Sequence, residues 1–155
     1  MEKTVKFEQY KLVKEHALAA LQAAGTSLPE ADKLNPVLLA YIGDVVFSLY
    51  VRLRFLAASS HIRVIHDLSS KAVSAVCQAK ALEELKDTLT EDELAVVKRG
   101  RNTKSTVPKS ASMHEYRMST AFEALVGWLF LRGDDKRLEE FLDKSFAIIL
   151  DGLKK

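Results

Sequence analysis

The sequence predicts an all-α protein, a helical bundle with an extra helix at its N-terminus. Glycine and proline are few, at 6 and 3 residues, and alternating β-branched runs are rare. Apolar residues instead recur at the three- and four-residue spacing of amphipathic helices, and two capping-box patterns mark helix starts. A chain of 155 residues with 48% hydrophobic residues amounts to one domain and is able to bury a core.

Residues Phe7 to Ala24 form the first predicted helix, and Gly25 is suited to end it. Residues 26–33 form a predicted linker. We therefore divide the chain into an N-terminal helix with its linker (1–33), a main domain (34–150) and a basic C-terminal tail (151–155). Whether the N-terminal helix packs on the main domain or on a partner is left open by the sequence. Its predicted apolar stripe consists of Tyr10, Val13, Ala17, Ala20, Leu21 and Ala24.

The main domain is organised around a nearly continuous apolar run, VLLAYIGDVVFSLYV, at residues 37–51. Asn35 is a suitable N-cap and Pro36 suits the first helical position, so the run predicts a helix. A helix that is apolar all round is expected to be enclosed by protein. This one is shorter than the roughly 20 apolar residues that a membrane span needs, and we expect no membrane segment. Asp44 in such a helix must be paired, hydrogen-bonded or bound to a metal ion.

Four further helical regions are predicted after the central helix. They extend from Asp67 or Ser69 through Leu85, from Glu91 to about Arg99, from Met113 to Leu131, and from Lys136 to Leu150. Helix starts are marked by the capping boxes Thr90 with Glu93 and Ser112 with Glu115 and by the N-cap Asp134. Gly133 marks the end of the helix before it.

Positive charge is concentrated in one stretch of the chain. Between residues 98 and 114 there are five Lys or Arg residues and no acid, which leaves 18 Lys and Arg against 21 Asp and Glu elsewhere. A local excess of this kind favours a phosphate-binding surface. The alternative is an ordinary solvated loop over residues 100–111, and charge alone does not decide between them. The cations are Lys98, Arg99, Arg101, Lys104 and Lys109.

A second acid, Glu123, lies in the apolar run STAFEALVGWLFL. Two acids in two apolar helices suggest that they face each other. Since neither run supplies a Lys or Arg beside them, the pair would repel unless a proton or a divalent cation joined them. Oxygen-only ligation suits Mg²⁺, which takes one or two carboxylates and completes its shell with water and phosphate. The alternative is two unrelated acids, each satisfied by local hydrogen bonds.

The cellular compartment is constrained by two observations. The single Cys77 excludes an internal disulfide and fits a reducing compartment. The N-terminal segment MEKTVKFEQYKLVK carries acids and has no continuous apolar stretch, so it does not fit a secretory signal. We expect a cytoplasmic protein.

Two motifs in order, AYIGDVVF and TAFEALVGWLFL, make the chain resemble the ribonuclease III family over about residues 34–150. Of the family's four acids, only Asp44 and Glu123 are present, because Ala40 and Thr120 occupy the other two positions. These losses, the preceding KRGRNTKS segment and the lack of a double-stranded-RNA-binding domain are similar to the Mini-III branch. The N-terminal helix is not part of the match.

The resemblance implies an endoribonuclease that cuts double-stranded RNA, matures the ends of 23S ribosomal RNA precursor and leaves 5′-phosphate and 3′-hydroxyl ends. It implies that Asp44 and Glu123 are catalytic and hold Mg²⁺, for which Mn²⁺ substitutes. It also implies a homodimer with Tyr41 and Val45 in the interface, and a ribosomal protein that presents the substrate. The expected RNA contacts are Lys98, Arg99, Arg101, Lys104, Lys109 and Arg117.

Two alternatives from other functional classes remain at this stage. The first is a ribonuclease III-like module that binds RNA or the ribosome without cutting, since loss of two acids is what such decay would produce. Retention of both Asp44 and Glu123 weighs against it. The second is a helical dimerisation module with no role on RNA, which leaves the basic stretch unexplained.

Overall fold

The computed structural model describes residues 2–25, 29–103 and 112–154, with side chains from residue 8 onward. Helices make up these ranges and no strand occurs in them, so the predicted all-α class is confirmed. The helices are α1 (Glu2–Ala23), α2 (Pro36–Phe55), α3 (Ile62–Ala72), α4 (Ala75–Leu85), α5 (Glu91–Arg101), α6 (Met113–Arg132) and α7 (Asp135–Leu153), with short 3-10 turns at Ala31–Lys33 and Lys86–Thr88.

Helix α6 is the centre of the bundle and packs against α2, α4, α5 and α7. Its closest neighbour is α2, and the two helices cross where Gly43 lies against Gly127. A Cβ atom on Gly127 would be 1.9 Å from the carbonyl oxygen of Leu39, so only glycine fits at that position. Phe47 of α2 and Phe122 of α6 also pack against each other, and their rings meet edge to face at 4.9 Å.

Helix α2 is central but is not enclosed, contrary to the expectation from its apolar sequence. One face is buried against the bundle and includes Leu39 and Phe47, both 0% exposed. The opposite face presents large apolar side chains to solvent, among them Tyr41 at 70% and Val45 at 61% exposure. The helix starts as predicted, with the Asn35 side chain accepting from the backbone N–H of residue 37 at 2.9 Å.

Among the described residues, α2 is the one helix whose length and hydropathy would allow it to cross a membrane. The core helix of a soluble protein passes the same test, and α2 supplies a buried face to the bundle.

The N-terminal helix packs on the main domain, which settles the question that the sequence left open. Within the predicted stripe Tyr10 is buried, but Val13 and Leu21 are exposed, and the buried Lys14 was not predicted to belong to it. The Lys14 ammonium group donates to the carboxylate of Asp135 at 2.6 Å and to the carbonyl oxygen of Phe130 at 3.2 Å. A buried lysine with these partners docks α1 against the junction of α6 and α7.

The single helical region predicted through Leu85 is two helices. Asp67 and Ser69 lie inside α3, which ends at Ala72. Helix α4 then starts with its own N-cap, because the Ser74 hydroxyl accepts from the backbone N–H of Cys77 at 3.3 Å. The break turns the second helix so that its buried face can meet α6.

Both predicted capping boxes, Ser112 with Glu115 and Thr90 with Glu93, are present. Glu93 has a second role, since its buried carboxylate also accepts from the Arg137 guanidinium at 2.7 and 2.9 Å and so ties α5 to α7. Helix α7 begins after Asp134 as predicted but continues to Leu153. Residues 151–153 are therefore helical, and the predicted C-terminal tail is wrong for them.

Candidate active site

A cavity of about 270 Å³, open to solvent, lies where α2 and α6 meet Thr103, two residues after the end of α5. Helix α2 contributes one wall and α6 the other, at positions one or two turns apart on each helix. The lining residues are Val37, Ala40, Tyr41, Asp44, Thr103, Tyr116, Ser119, Thr120 and Glu123.

The structure brings the two predicted acids, Asp44 and Glu123, to the same cavity. Asp44 is exposed at the mouth, so it is not enclosed as the sequence had suggested, whereas Glu123 is largely buried. The crossing of α2 and α6 places them, because Gly43 precedes Asp44 and lies directly against the backbone of Glu123. The predicted juxtaposition is thus present, and the catalytic role of the pair stays a prediction.

Glu123 has an unusual protonation equilibrium. Burial raises the pKa of its carboxyl group to about 8, and the negative charge of Asp44 contributes in the same direction. The amide of Gln78 lies beside the carboxyl group and favours its ionised form, although no hydrogen bond of ordinary geometry joins the two. Without a cation, Glu123 is therefore mostly protonated at neutral pH, and a cation that bound the pair would displace its proton.

The two positions that carry acids elsewhere in the resembled family also line the cavity. Ala40 is 7% exposed and forms part of its floor. The Thr120 hydroxyl, one turn before Glu123, donates to the backbone carbonyl oxygen of Tyr116 at 3.1 Å. Replacing longer carboxylate side chains with Ala and Thr leaves room beside the acid pair, which is the space that water and a substrate phosphate would need.

The donor set fits a hard divalent cation with few protein ligands. No group of three or more His, Cys, Asp or Glu side chains suited to a metal occurs within residues 2–25, 29–103 and 112–154. Mg²⁺ commonly takes one or two carboxylates and keeps several waters. Asp44 and Glu123 supply that number of carboxylates beside a space that is open to solvent.

The predicted RNA contacts differ in their surroundings. Lys98 and Arg117 are exposed, and Arg101 is half-buried. The Arg99 guanidinium donates to the carbonyl oxygen of Leu34 at 2.9 Å and lines a separate cavity of about 350 Å³ with Trp128 and others. Helix α5 extends through residue 101, so these α5 cations lie on a helix. The two remaining predicted contacts, Lys104 and Lys109, lie outside the described residues.

Sequence reasoning missed several side chains around the acid pair. Thr103, Tyr116 and Ser119 line the cavity but belong to no motif on their own. Gln78 was not identified from the sequence as a candidate site residue. Its signal was its spacing from Leu82 and Leu85, four and seven residues later, which places it on the buried face of α4.

The family model described as the Ribonuclease III domain matches residues 38–134 of the chain. That segment runs from the first turn of α2 to just past the end of α6 and contains both acids and every cavity-lining residue except Val37. Fold and site together thus define a ribonuclease III domain protein.

Curated relatives named Mini-ribonuclease 3 extend this match. The relative from Thermoanaerobacter sp. strain X514 is 42% identical, with 75% of this chain and 83% of the relative covered. The one from Brevibacillus brevis is 44% identical, with coverages of 74% and 87%. A crystal structure of a Fusobacterium nucleatum protein has a TM-score of 0.70 and 25% identity, with coverages of 77% and 94%. The chain belongs to the ribonuclease III family, in its Mini-ribonuclease 3 branch. The predicted enzyme class, an endoribonuclease, is confirmed.

Proposed function

We propose that this endoribonuclease cleaves double-stranded RNA in a reaction that depends on Mg²⁺, with Mn²⁺ as a substitute, and that its substrate is the 23S ribosomal RNA precursor. One observation carries the proposal: Asp44 and Glu123 line the same cavity, which is open to solvent. An acid pair with no Lys or Arg among the described residues that line its cavity is costly in itself, and a bound divalent cation removes that cost.

The chain's own residues perform binding and orientation. Asp44 and Glu123 would hold the cation, and the space beside Ala40 and Thr120 would admit the scissile phosphate. Mg²⁺ bound there would supply Lewis-acid polarisation of that phosphate and lower the pKa of a water molecule. Hydrolysis of the P–O3′ bond would leave 5′-phosphate and 3′-hydroxyl ends.

Cations near the cavity supply the attraction for the RNA backbone. Lys98 and Arg117 have exposed side chains, and Arg101 is only two residues from the cavity-lining Thr103. An A-form duplex is recognised mainly through its shape, its phosphates and its 2′-hydroxyl groups. These few cations support recognition of the RNA backbone, and they predict that the affinity for duplex RNA depends strongly on salt concentration.

A homodimer is the second part of the proposal, with Tyr41 and Val45 in the interface. The exposed apolar face of α2 supports it, since Leu38 is also 50% exposed and Leu56 66%. A two-fold axis across the middle of α2 would set the start of one copy against the end of the other. At that end an apolar cavity of about 180 Å³, lined by Leu56 and Ile62 among others, would receive the partner's Tyr41.

The cellular assignment rests on the resemblance to the Mini-III branch. It supports a cytoplasmic enzyme of ribosome maturation, with a ribosomal protein presenting the 23S precursor. The single cysteine is compatible with a reducing compartment.

The deciding experiment is cleavage of a labelled RNA duplex with and without Mg²⁺, comparing the parent with Asp44→Asn and Glu123→Gln. Each substitution keeps the side-chain shape and removes the charge that a hard cation needs. The parent is expected to cut only with Mg²⁺ or Mn²⁺, and both variants are expected to lose at least 100-fold in rate. A 23S precursor fragment and an unrelated duplex serve as paired substrates.

Three outcomes would each overturn part of the proposal. If all three proteins bound the duplex and none cut it, even with Mn²⁺ and the precursor, the chain would be a non-catalytic RNA-binding module. If both variants cut as fast as the parent, Asp44 and Glu123 would not be the site. Equal cutting of the unrelated duplex would remove the preference for 23S precursor.

A further inference from the structure

The side chain of Gln78 is the most unusual buried polar group of the described structure. It is 1% exposed, and neither its amide nitrogen nor its amide oxygen has a hydrogen-bond partner. Leaving a buried donor or acceptor unsatisfied costs about 1–3 kcal/mol. A methionine of similar length would fill the same space without that cost. Packing therefore does not explain a glutamine at this position.

Its location supplies an explanation. Gln78 lies on α4, which packs against α6, and its amide lies beside the Glu123 carboxyl group. The cavity is walled by α2, α6 and Thr103. Gln78 thus meets Glu123 from the interior of the bundle, while the open cavity lies on the other side of the carboxyl group.

Two serines provide a comparison within the same molecule. The Ser69 and Ser145 hydroxyl groups are also buried without a partner. Ser145 lies on α7 and is 0% exposed, and it does not line the cavity. Gln78 differs from both because its amide lies beside a carboxyl group that faces the proposed metal position.

We propose that Gln78 is a positioning residue for Glu123. When Glu123 holds the divalent cation, the Gln78 amide N–H donates to one carboxylate oxygen and leaves the other directed into the cavity. The orphaned amide thereby gains its partner in the metal-loaded protein. This inference rests on the proposed function, because it assigns Gln78 a role toward the cation that Asp44 and Glu123 would hold.

Hydrogen-bonding partners of metal-binding carboxylates typically change metal affinity or activity by about 10- to 100-fold when removed. We therefore expect Gln78→Met to raise the Mn²⁺ concentration for half-maximal effect by at least tenfold. The folded protein without metal should be as stable as the parent or more stable, because the variant removes an unsatisfied buried amide.

The test combines a binding readout with an activity readout. The thermal unfolding midpoint of each protein is measured across a Mn²⁺ titration without RNA, and duplex cleavage is measured across the same titration. Gln78→Met and Gln78→Leu are compared with the parent, and Ser145→Ala serves as the matched control for loss of a buried unpartnered polar group. A shift of both Mn²⁺ midpoints in the Gln78 variants alone supports the inference.

A purely structural Gln78 would give the opposite pattern. The Gln78 variants would then lose stability in the absence of metal, and both Mn²⁺ midpoints would match those of the parent, which overturns the inference. A different result would exclude the proposed metal site itself: the parent and Asp44→Asn would respond identically to Mn²⁺ in both measurements. That second outcome removes the inference together with its basis.

Discussion

Gly43 lies so close to the backbone of Glu123 that a Cβ atom added to Gly43 would be 1.7 Å from the Glu123 carbonyl oxygen. Real side-chain atoms do not approach backbone atoms so closely, so any other residue at this position must separate the helices. Because Asp44 follows Gly43 directly, the glycine contact also sets how near the two acids lie. The architecture of the site is thus a consequence of the crossing of α2 and α6.

We expect Gly43→Ala to damage folding and activity together. The added methyl group meets backbone atoms that cannot move aside as a flexible side chain would, and overpacking of a well-packed contact costs about 1–3 kcal/mol or more. The free energy of unfolding, measured in urea, should fall by at least about 2 kcal/mol. Duplex cleavage by the remaining folded protein should fall as well, because Asp44 moves away from Glu123.

Gly152→Ala is the matched control for that substitution. Gly152 lies on α7, and an added Cβ atom there would be 3.2 Å from the mobile end of the Lys80 side chain. We expect its stability to equal or slightly exceed that of the parent, since alanine is the better helix former by about 1 kcal/mol. Equal stability of Gly43→Ala and Gly152→Ala would contradict the proposed role of the crossing.

The raised pKa of Glu123 predicts how stability depends on pH in the absence of metal. The folded protein favours the protonated carboxyl group, with a pKa of about 8 against an ordinary 4.5. This contribution to the free energy of unfolding is complete below pH 4.5 and is lost as pH rises through about 8. The glutamine side chain of Glu123→Gln cannot ionise, so the free energy of unfolding of this variant should not show that loss as pH rises.

The measurement is urea unfolding of the parent and Glu123→Gln in EDTA at several values between pH 5 and 9. Other titrating groups are common to both proteins, so the difference between them isolates Glu123. The parent should lose stability relative to the variant as pH rises. Added Mg²⁺ should reverse the trend for the parent alone, because the cation binds the ionised pair. Parallel pH profiles in EDTA would exclude a raised pKa.

Much of this site was predictable from sequence, because isolated acids in apolar helices and local capping patterns can both be recognised without tertiary information. Acids in apolar runs are rare enough to attract attention, and Asp44 and Glu123 do meet at one cavity. The capping boxes likewise located the starts of α5 and α6, since a cap is satisfied within four residues of itself and needs no tertiary information.

The errors concern features that depend on tertiary packing. The stripe predicted for α1 was chosen by hydrophobicity. The helix also buries Lys14, because its ammonium group donates to the Asp135 carboxylate and to the Phe130 carbonyl oxygen. Enclosure of α2 was inferred from its composition, which cannot distinguish a face buried by the same chain from one left exposed. Gln78 escaped notice because its relation to Glu123 exists only once α4 packs on α6.

Restoring an acid at position 120 should tighten cation binding. Thr120 lines the cavity one turn before Glu123, so Thr120→Asp adds a carboxylate to a site that now has two. Affinity for hard cations rises with the number of charged ligands, and we expect the Mn²⁺ midpoint of duplex cleavage to fall by about tenfold, or about 1.4 kcal/mol. Thr120→Asn, which has the same shape without the charge, controls for the change of side chain. An equal effect of both variants would contradict the argument.

Among the predicted RNA contacts, Arg117 and Arg99 should behave differently. Each lost phosphate contact lowers the slope of log affinity against log salt by about 1, and we expect this for both Arg117→Gln and Arg99→Gln. Only Arg99→Gln should also lose about 1 kcal/mol of stability, because the Arg99 guanidinium donates to the Leu34 carbonyl oxygen. Duplex binding across a salt series and urea unfolding measure the two effects. Lys136→Gln, a cation outside the predicted set, should change neither.

The exposed apolar face of α2 predicts that Tyr41→Glu converts a dimer into a monomer. A charge buried in an apolar interface must be desolvated without a partner. Cleavage is a poor readout here because Tyr41 also lines the active-site cavity. Sedimentation velocity at several concentrations is therefore the measurement, with circular dichroism to establish that the variant is folded.

Two further variants make the dimer prediction specific. Ile62 is the first residue of α3, is 78% exposed and lines, together with Leu56 just after α2, the apolar cavity that would receive the partner's Tyr41. Ile62→Glu should therefore dissociate the dimer as Tyr41→Glu does. Leu12→Glu also adds a charge to an exposed apolar residue, but on α1, and should leave the dimer intact. A parent that sediments as a monomer at every concentration would refute the interface. Dissociation by Tyr41→Glu without dissociation by Ile62→Glu would keep the interface but remove the antiparallel arrangement of the two α2 helices.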